Sequence, residues 1–110
     1  MLNQVVLVGR LVKDPEIIEK ESSKKISRIT LAIPRSFKNV DGEYESDFIT
    51  CILWDSVAQS TFDYCKKGDI IGVKGRIESR VIEKDDEKKY YTDVIAERVT
   101  FLSSKEKNSK

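Results

Sequence analysis

Apolar residues recur along much of the chain at every second position, the spacing of strands that bury one face. The first run is NQVVLVGRLV at 3–12. Val5, Leu7, Gly9 and Leu11 share one face; Val6, Val8, Arg10 and Val12 share the other. Both faces are largely apolar, so both need cover. Asp14-Pro15 marks a turn, and EIIEKESSKK reads as a charged connection. A second strand spans about 26–34, with Ile29, Leu31 and Ile33 toward a core and Arg28 and Thr30 opposite. Pro34 lacks a donor N–H, which places it at a strand end, bulge or edge. SFKNVDGEYES at 36–46 reads as a hairpin loop with an Asp-Gly turn, and DFITCILW at 47–54 as the third strand.

After Trp54 the period changes. Val57, Ala58, Phe62 and Cys65 recur at helical spacing. Asp55 or Ser56 suits the N-cap, Lys66 and Lys67 suit the C-terminal end of the dipole, and Gly68 suits a left-handed C-cap. The fourth strand, about 69–82, places Ile71, Val73, Gly75, Ile77 and Val81 on a core face, with Lys74, Arg76, Glu78 and Arg80 opposite. EKDDEKK turns the chain into a fifth strand, YYTDVIAERVTFL. Gly9, Gly72 and Gly75 lie inside strands, where glycine permits sharp bending or close backbone approach. The expected class is all-β. A five-stranded sheet with one short helix between strands three and four is the element order of an OB-fold barrel. Residues 1–102 form the domain, and SSKEKNSK at 103–110, without apolar anchors, is expected to be a disordered polar tail.

The third strand raises the functional question. Ile49, Cys51 and Leu53 can fill a core, yet the other face carries Phe48, Thr50, Ile52 and Trp54, including the chain's only tryptophan. Phe48 and Trp54 lie about 20 Å apart at the usual strand rise. Exposed rings stack on unpaired bases, at about 1–3 kcal/mol per base and with no demand on base identity. The plain alternative is that they pack beneath a loop or against another subunit. The cations of the fourth strand can track a phosphate backbone, with affinity that falls as salt rises; the plain alternative there is a solvated face. Phe37 and Lys38 repeat the pairing of ring and cation. Arg10, Arg28 and Arg35 add cations nearby. Tyr44, Tyr64, Tyr90 and Tyr91 fit structural roles.

Charge modifies this picture. The 110 residues carry 20 Lys and Arg against 19 Asp and Glu, and without 103–110 the balance is 17 against 18. A net of −1 does not advertise a polyanion binder, so any basic footprint must arise by local segregation. Two cysteines without CxxC spacing and no histidine argue against zinc, and Cys51 and Cys65 read as buried reduced thiols. No catalytic constellation is present: there is no nucleophile elbow and no phosphate-cradling lysine loop. Asp85, Asp86 and Glu87 read as a solvated turn rather than a metal site. No run is long and apolar enough to span a membrane, and MLNQVVLVGR is unlike a signal peptide, so a cytoplasmic setting is expected.

Together MLNQVVLVGRLVKDPE, ITLAIPRSF, DFITCILW, YCKKGD, VKGRIESR and YYTDVIAERVTFL resemble the bacterial-type single-stranded-DNA-binding proteins across nearly all of 1–102. That resemblance implies an OB-fold, sequence-tolerant binding and protection of single-stranded DNA in replication, recombination and repair, and usually a homotetramer, in the bacterial cytosol with the nucleoid. It implies base stacking by Phe37, Phe48 and Trp54. Its basic contacts carry over to Lys74, Arg76 and Arg80, with Lys89 a further candidate. Where Ile82 stands, an aromatic is common in the family; an aliphatic side chain can cover a sugar but cannot stack. The resemblance also implies association partly through N-terminal strands, which would cover the second apolar face of the first strand. Family members commonly end in an acidic, hydrophobic tip. SSKEKNSK has neither feature: either an acidic tip has been removed, or this member does not recruit replication and repair enzymes through its tail.

The leading expectation is a non-enzymatic, cofactor-free coat for single-stranded DNA. In it Phe37, Phe48 and Trp54 stack on bases while Arg10, Arg28, Arg35, Lys38, Lys74, Arg76 and Arg80 line the phosphate path. The principal alternative is a primosome-type OB-fold accessory that works mainly through protein–protein contacts. A metal-dependent nuclease is a third reading.

Overall fold

A computed structural model of the protein describes residues 1–103. The elements are β1 (Val5–Leu11), β2 (Ile18–Glu19), β3 (Lys25–Lys38), β4 (Tyr44–Trp54), α1 (Asp55–Tyr64), β5 (Ile70–Lys84) and β6 (Glu87–Ser103). The strands run β1-β5-β6-β4-β3-β2, and a further β1–β3 pairing closes five of them into a barrel. Closure removes the open edges that an isolated sheet would leave. Neighbours are antiparallel except β4 and β6, which meet in parallel at Cys51↔Val94 and Ile52↔Ile95.

The barrel interior follows the alternation. Leu11, Ile29, Leu31, Cys51, Leu53, Ile71 and Val73 are fully buried, with Ala58 of α1 against them. Both cysteines are free and buried, and burial pushes the Cys51 thiol up to about 11. Pro34 lies at the register shift between Pro34 and Lys38 of the β3–β4 ladder, so it interrupts a pairing that continues on either side. Gly75 sits at a second register shift, where any Cβ would collide with the Ile95 carbonyl. Only glycine admits that approach of β6.

Several expectations are corrected. The connection EIIEKESSKK contains β2, which pairs with the start of β3 at Ile18↔Ile26. The 36–46 loop is shorter than expected, because β3 and β4 extend to Lys38↔Tyr44. Its turn is organised by Asn39, whose Oδ1 accepts the backbone N–H groups of Asp41 and Glu43. Neither Asp55 nor Ser56 caps α1. The N-cap is Trp54, and the Asp55 carboxylate accepts the Lys25 N–H instead. Gly68 does adopt a positive φ of 94°, but in the turn before β5; the helix C-cap is Cys65.

The largest correction concerns β5. Ile77 and Val81 share the parity of Ile71 and Val73 but are 44% and 51% exposed. The β1 ladder starts at Val5↔Gly75, so beyond that point β5 pairs with β6 alone. The two strands continue as a projecting ribbon, with no interior for the core-parity residues to fill. Of the expected polar tail, Ser103 ends β6, and 104–110 lie outside the described residues.

Candidate nucleic-acid interface

The outer wall of β3 and β4 holds a ladder set by register. In order along the ribbon the outward pairs are Lys38↔Tyr44, Pro34↔Ser46, Ala32↔Phe48, Thr30↔Thr50, Arg28↔Ile52 and Ile26↔Trp54. Cross-strand partners stand on one face, so rings, small residues and two cations, Lys38 and Arg28, lie in one line. Phe48 is 65% exposed and Trp54 37%. Small partners explain the exposure of Phe48: Ala32 lies opposite, and Ser46 and Thr50 flank it along β4. Trp54 has Ile26 beside it and keeps less free surface.

The ladder continues around the barrel. Arg10 is opposite Ala32, which is opposite Phe48, so Arg10 stands two strands away from that ring on the same face. Its guanidinium Nη1 donates to the Gly68 carbonyl at 2.6 Å. A groove of about 350 Å³ lies beside it, lined by Val8, Gly9, Arg10, Ala32, Pro34, Ser46 and Ile70. In the other direction Arg28, Ile52, Ile95 and Arg76 form one row across four strands. At about 4.8 Å per strand, Arg28 and Arg76 stand roughly 14 Å apart. Ile52 and Ile95 lie between them and cluster with Ile26, next to Arg28 along β3, as a buried apolar floor on the outside of the barrel.

Most cations here are already engaged. Arg76 donates to Glu78 at 2.6 Å and to Glu97 at 3.3 Å. The Glu78 hydrogen bond is the main reason its pKa rises, with smaller help from Glu97. Arg80 pairs with Asp93 at 2.7 Å and lies over the Tyr91 ring at 4.7 Å. Lys38 sits 5.7 Å from the Tyr44 ring. Arg28 and Lys74 have no hydrogen-bond or ion-pair partner among the described residues; Lys74 faces Arg98 across the ladder.

Two expected residues sit apart from this ladder. Arg35 lies on the opposite side of the β3–β4 ribbon, where it donates to Asp47 at 2.8 Å and to Glu45 at 3.0 Å. The Asp47 hydrogen bond raises the Arg35 pKa and holds the Asp47 carboxyl below its ordinary value. Phe37 is exposed in the irregular segment between Pro34 and Lys38. Tyr44, expected in a structural role, shares the parity of Phe48 and stands exposed in the same line. Ile95 has no local signal in the sequence, because its place on this wall depends on the parallel β4–β6 pairing. None of the four tyrosines is buried. Among the described residues no group of three or more His, Cys, Asp or Glu is placed to hold a metal ion. No helix among them is long and apolar enough to cross a membrane.

The profile of the Single-strand binding protein family matches residues 2–102. The chain is 44% identical over 106 residues to "Single-stranded DNA-binding protein B" of Bacillus subtilis, covering 96% of this chain and 94% of that one. It is 46% identical over 107 residues to "Single-stranded DNA-binding protein 3" of Listeria innocua, covering 96% and 67% respectively. A "Single-stranded DNA-binding protein" of Bacillus cereus is 45% identical over 103 residues, and the match spans 61% of its length.

Proposed function

The chain belongs to the single-strand binding protein family, and on that premise we propose that it binds and protects single-stranded DNA in replication, recombination and repair. Phe48 and Trp54 stack on bases, joined by Phe37 on the β3–β4 arm. Arg10, Arg28, Lys38, Lys74, Arg76 and Arg80 guide the phosphates, and Arg35 contributes from the far side of the ribbon. The observation that carries this reading is a pair of exposed rings on one wall with two cations, Phe48 in register with Arg10 through Ala32 and Trp54 one outward pair along from Arg28. Duplex DNA hides its base faces and a single strand offers them, so such a wall favours the single strand. Binding requires no cofactor and no catalytic group.

The functional particle is a homo-oligomer, a tetramer as the family resemblance implies. The outward Val6 and Val8 of β1, exposed in the single chain, support a subunit contact there. The cytosol, along the nucleoid, is where such a coat acts. Titration with oligo-dT, read by Trp54 fluorescence, tests the function. Quenching with an affinity that falls as salt rises is expected. No binding in low salt overturns it. Feeble binding together with tight association to another replication protein moves the chain to the accessory class.

A further inference from the structure

On the reading that the β3–β4–β6–β5 wall binds single-stranded DNA, we propose that Glu78, Asp93 and Glu97 are positioning residues that act as built-in competitors of the phosphate backbone. They hold Arg76 and Arg80 in ion pairs that an arriving strand must displace, and they recapture those guanidiniums when it leaves.

The geometry makes this exchange specific. Arg76 lies on the outward row with Arg28, Ile52 and Ile95, so its side chain borders the apolar floor. Glu78 follows it by two residues on the same strand face, and Glu97 comes from the register shift on β6. Glu78 takes Nε and Nη2, while Glu97 takes Nη1. Every nitrogen of the Arg76 guanidinium therefore faces a carboxylate. Arg80 offers its Nε to Asp93 and its flat face to Tyr91. The Glu78 and Glu97 carboxylates are about half exposed, whereas the Asp93 side chain is 16% exposed and meets solvent mainly through its Arg80 partner. Exposed ion pairs of this kind are weak and exchangeable. Glu78 meets Nε and Nη2 with one oxygen, Oε2, and a phosphate can take the same two nitrogens with two oxygens.

Exchange has a measurable signature. A phosphate that meets an unpaired cation releases condensed counterions. One that displaces a carboxylate leaves that carboxylate to be screened again, so the net release is smaller. The carboxylates thereby lower affinity, flatten its salt dependence and hasten strand release, and they do so through Arg76 and Arg80.

The test is a double-mutant cycle on the full chain. Glu78→Gln with Glu97→Gln is made in the wild-type and Arg76→Gln backgrounds, and Asp93→Asn supplies a second variant centred on Arg80. Oligo-dT binding is followed by Trp54 fluorescence across a salt series, with thermal melting as the check on folding. In the wild-type background the paired substitution should tighten binding about two- to fivefold, slow dissociation to match, and steepen the salt slope by up to about 0.7. In the Arg76→Gln background the same substitution should change little. Equal tightening in both backgrounds overturns the proposal, because it marks a general charge effect. Unchanged or weakened binding with intact melting in both the paired variant and Asp93→Asn overturns it as well. Failure of the wild-type chain to bind oligo-dT defeats the functional reading itself, whereas wild-type binding with insensitive variants defeats only this inference.

Discussion

Replacing Phe48 by alanine separates the stacking role from every structural one. The ring stands opposite Ala32 on the outer wall and is 65% exposed, so it contributes little to the core. Surface substitutions away from special features usually change stability by no more than about 0.5 kcal/mol. Loss of one base–aromatic stack costs about 1–3 kcal/mol, or roughly fivefold to more than a hundredfold in affinity. The predicted effect on binding thus exceeds the predicted effect on folding. Trp54 survives as the sole tryptophan reporter, so one oligo-dT titration reads wild type and variant alike. No charge is removed, and the slope of affinity against salt should stay constant while the curve shifts. Phe48→Tyr keeps a π-face and should restore most of the loss. A Phe48→Ala protein that melts like wild type and binds within twofold of it would refute the stacking role of this ring.

Lys74→Met keeps the aliphatic stem and removes a cation that has no partner among the described residues; the salt slope for oligo-dT should become shallower by about 0.7, with binding weakened most at low salt. Val6→Glu with Val8→Glu charges the outward face of β1, and sedimentation should report a smaller assembly with the far-ultraviolet spectrum unchanged; an unaltered assembly would place the subunit contact elsewhere. The Cys51 thiol is raised from 9.0 to about 11 because burial disfavours the thiolate. Its contribution to stability is therefore complete below pH 9 and lost as pH rises toward 11. The urea midpoint should fall across that window, and fall less in Cys51→Val.

The alternation of side chains made the barrel wall legible from sequence because burial there is local. Each strand carries its inward set at every second residue: Ile29 and Leu31, Cys51 and Leu53, Ile71 and Val73. The same rule misplaced Ile77 and Val81. Their parity was right, but whether a core-parity residue has an interior to fill depends on where β1 stops, which is a property of another segment. Asp55 was misread for a similar reason. Its position suits a cap, yet the fold offers it the Lys25 N–H, which lies thirty residues away. The cations of β5 were legible as a row, and Glu78 was visible within it. Glu97 and Asp93 were not, because the hairpin register and its shift bring them to Arg76 and Arg80.

Those pairings bear on how a domain of nearly balanced charge can hold a polyanion. Local segregation alone is an incomplete answer, since Arg76, Arg80 and Arg35 are matched by neighbouring carboxylates. Exposed ion pairs are worth about 0.2–1 kcal/mol each, so exchanging one for a phosphate changes binding little. Two rings at about 1–3 kcal/mol apiece contribute more, and only to a strand with free base faces. In the proposed interface Arg28 and Lys74, unpaired among the described residues, would attract any nucleic acid, while Phe48 and Trp54 would decide which kind stays. On that proposal stacking outweighs net charge on this wall, which would reconcile a residue balance of 20 against 19 with a nucleic-acid ligand.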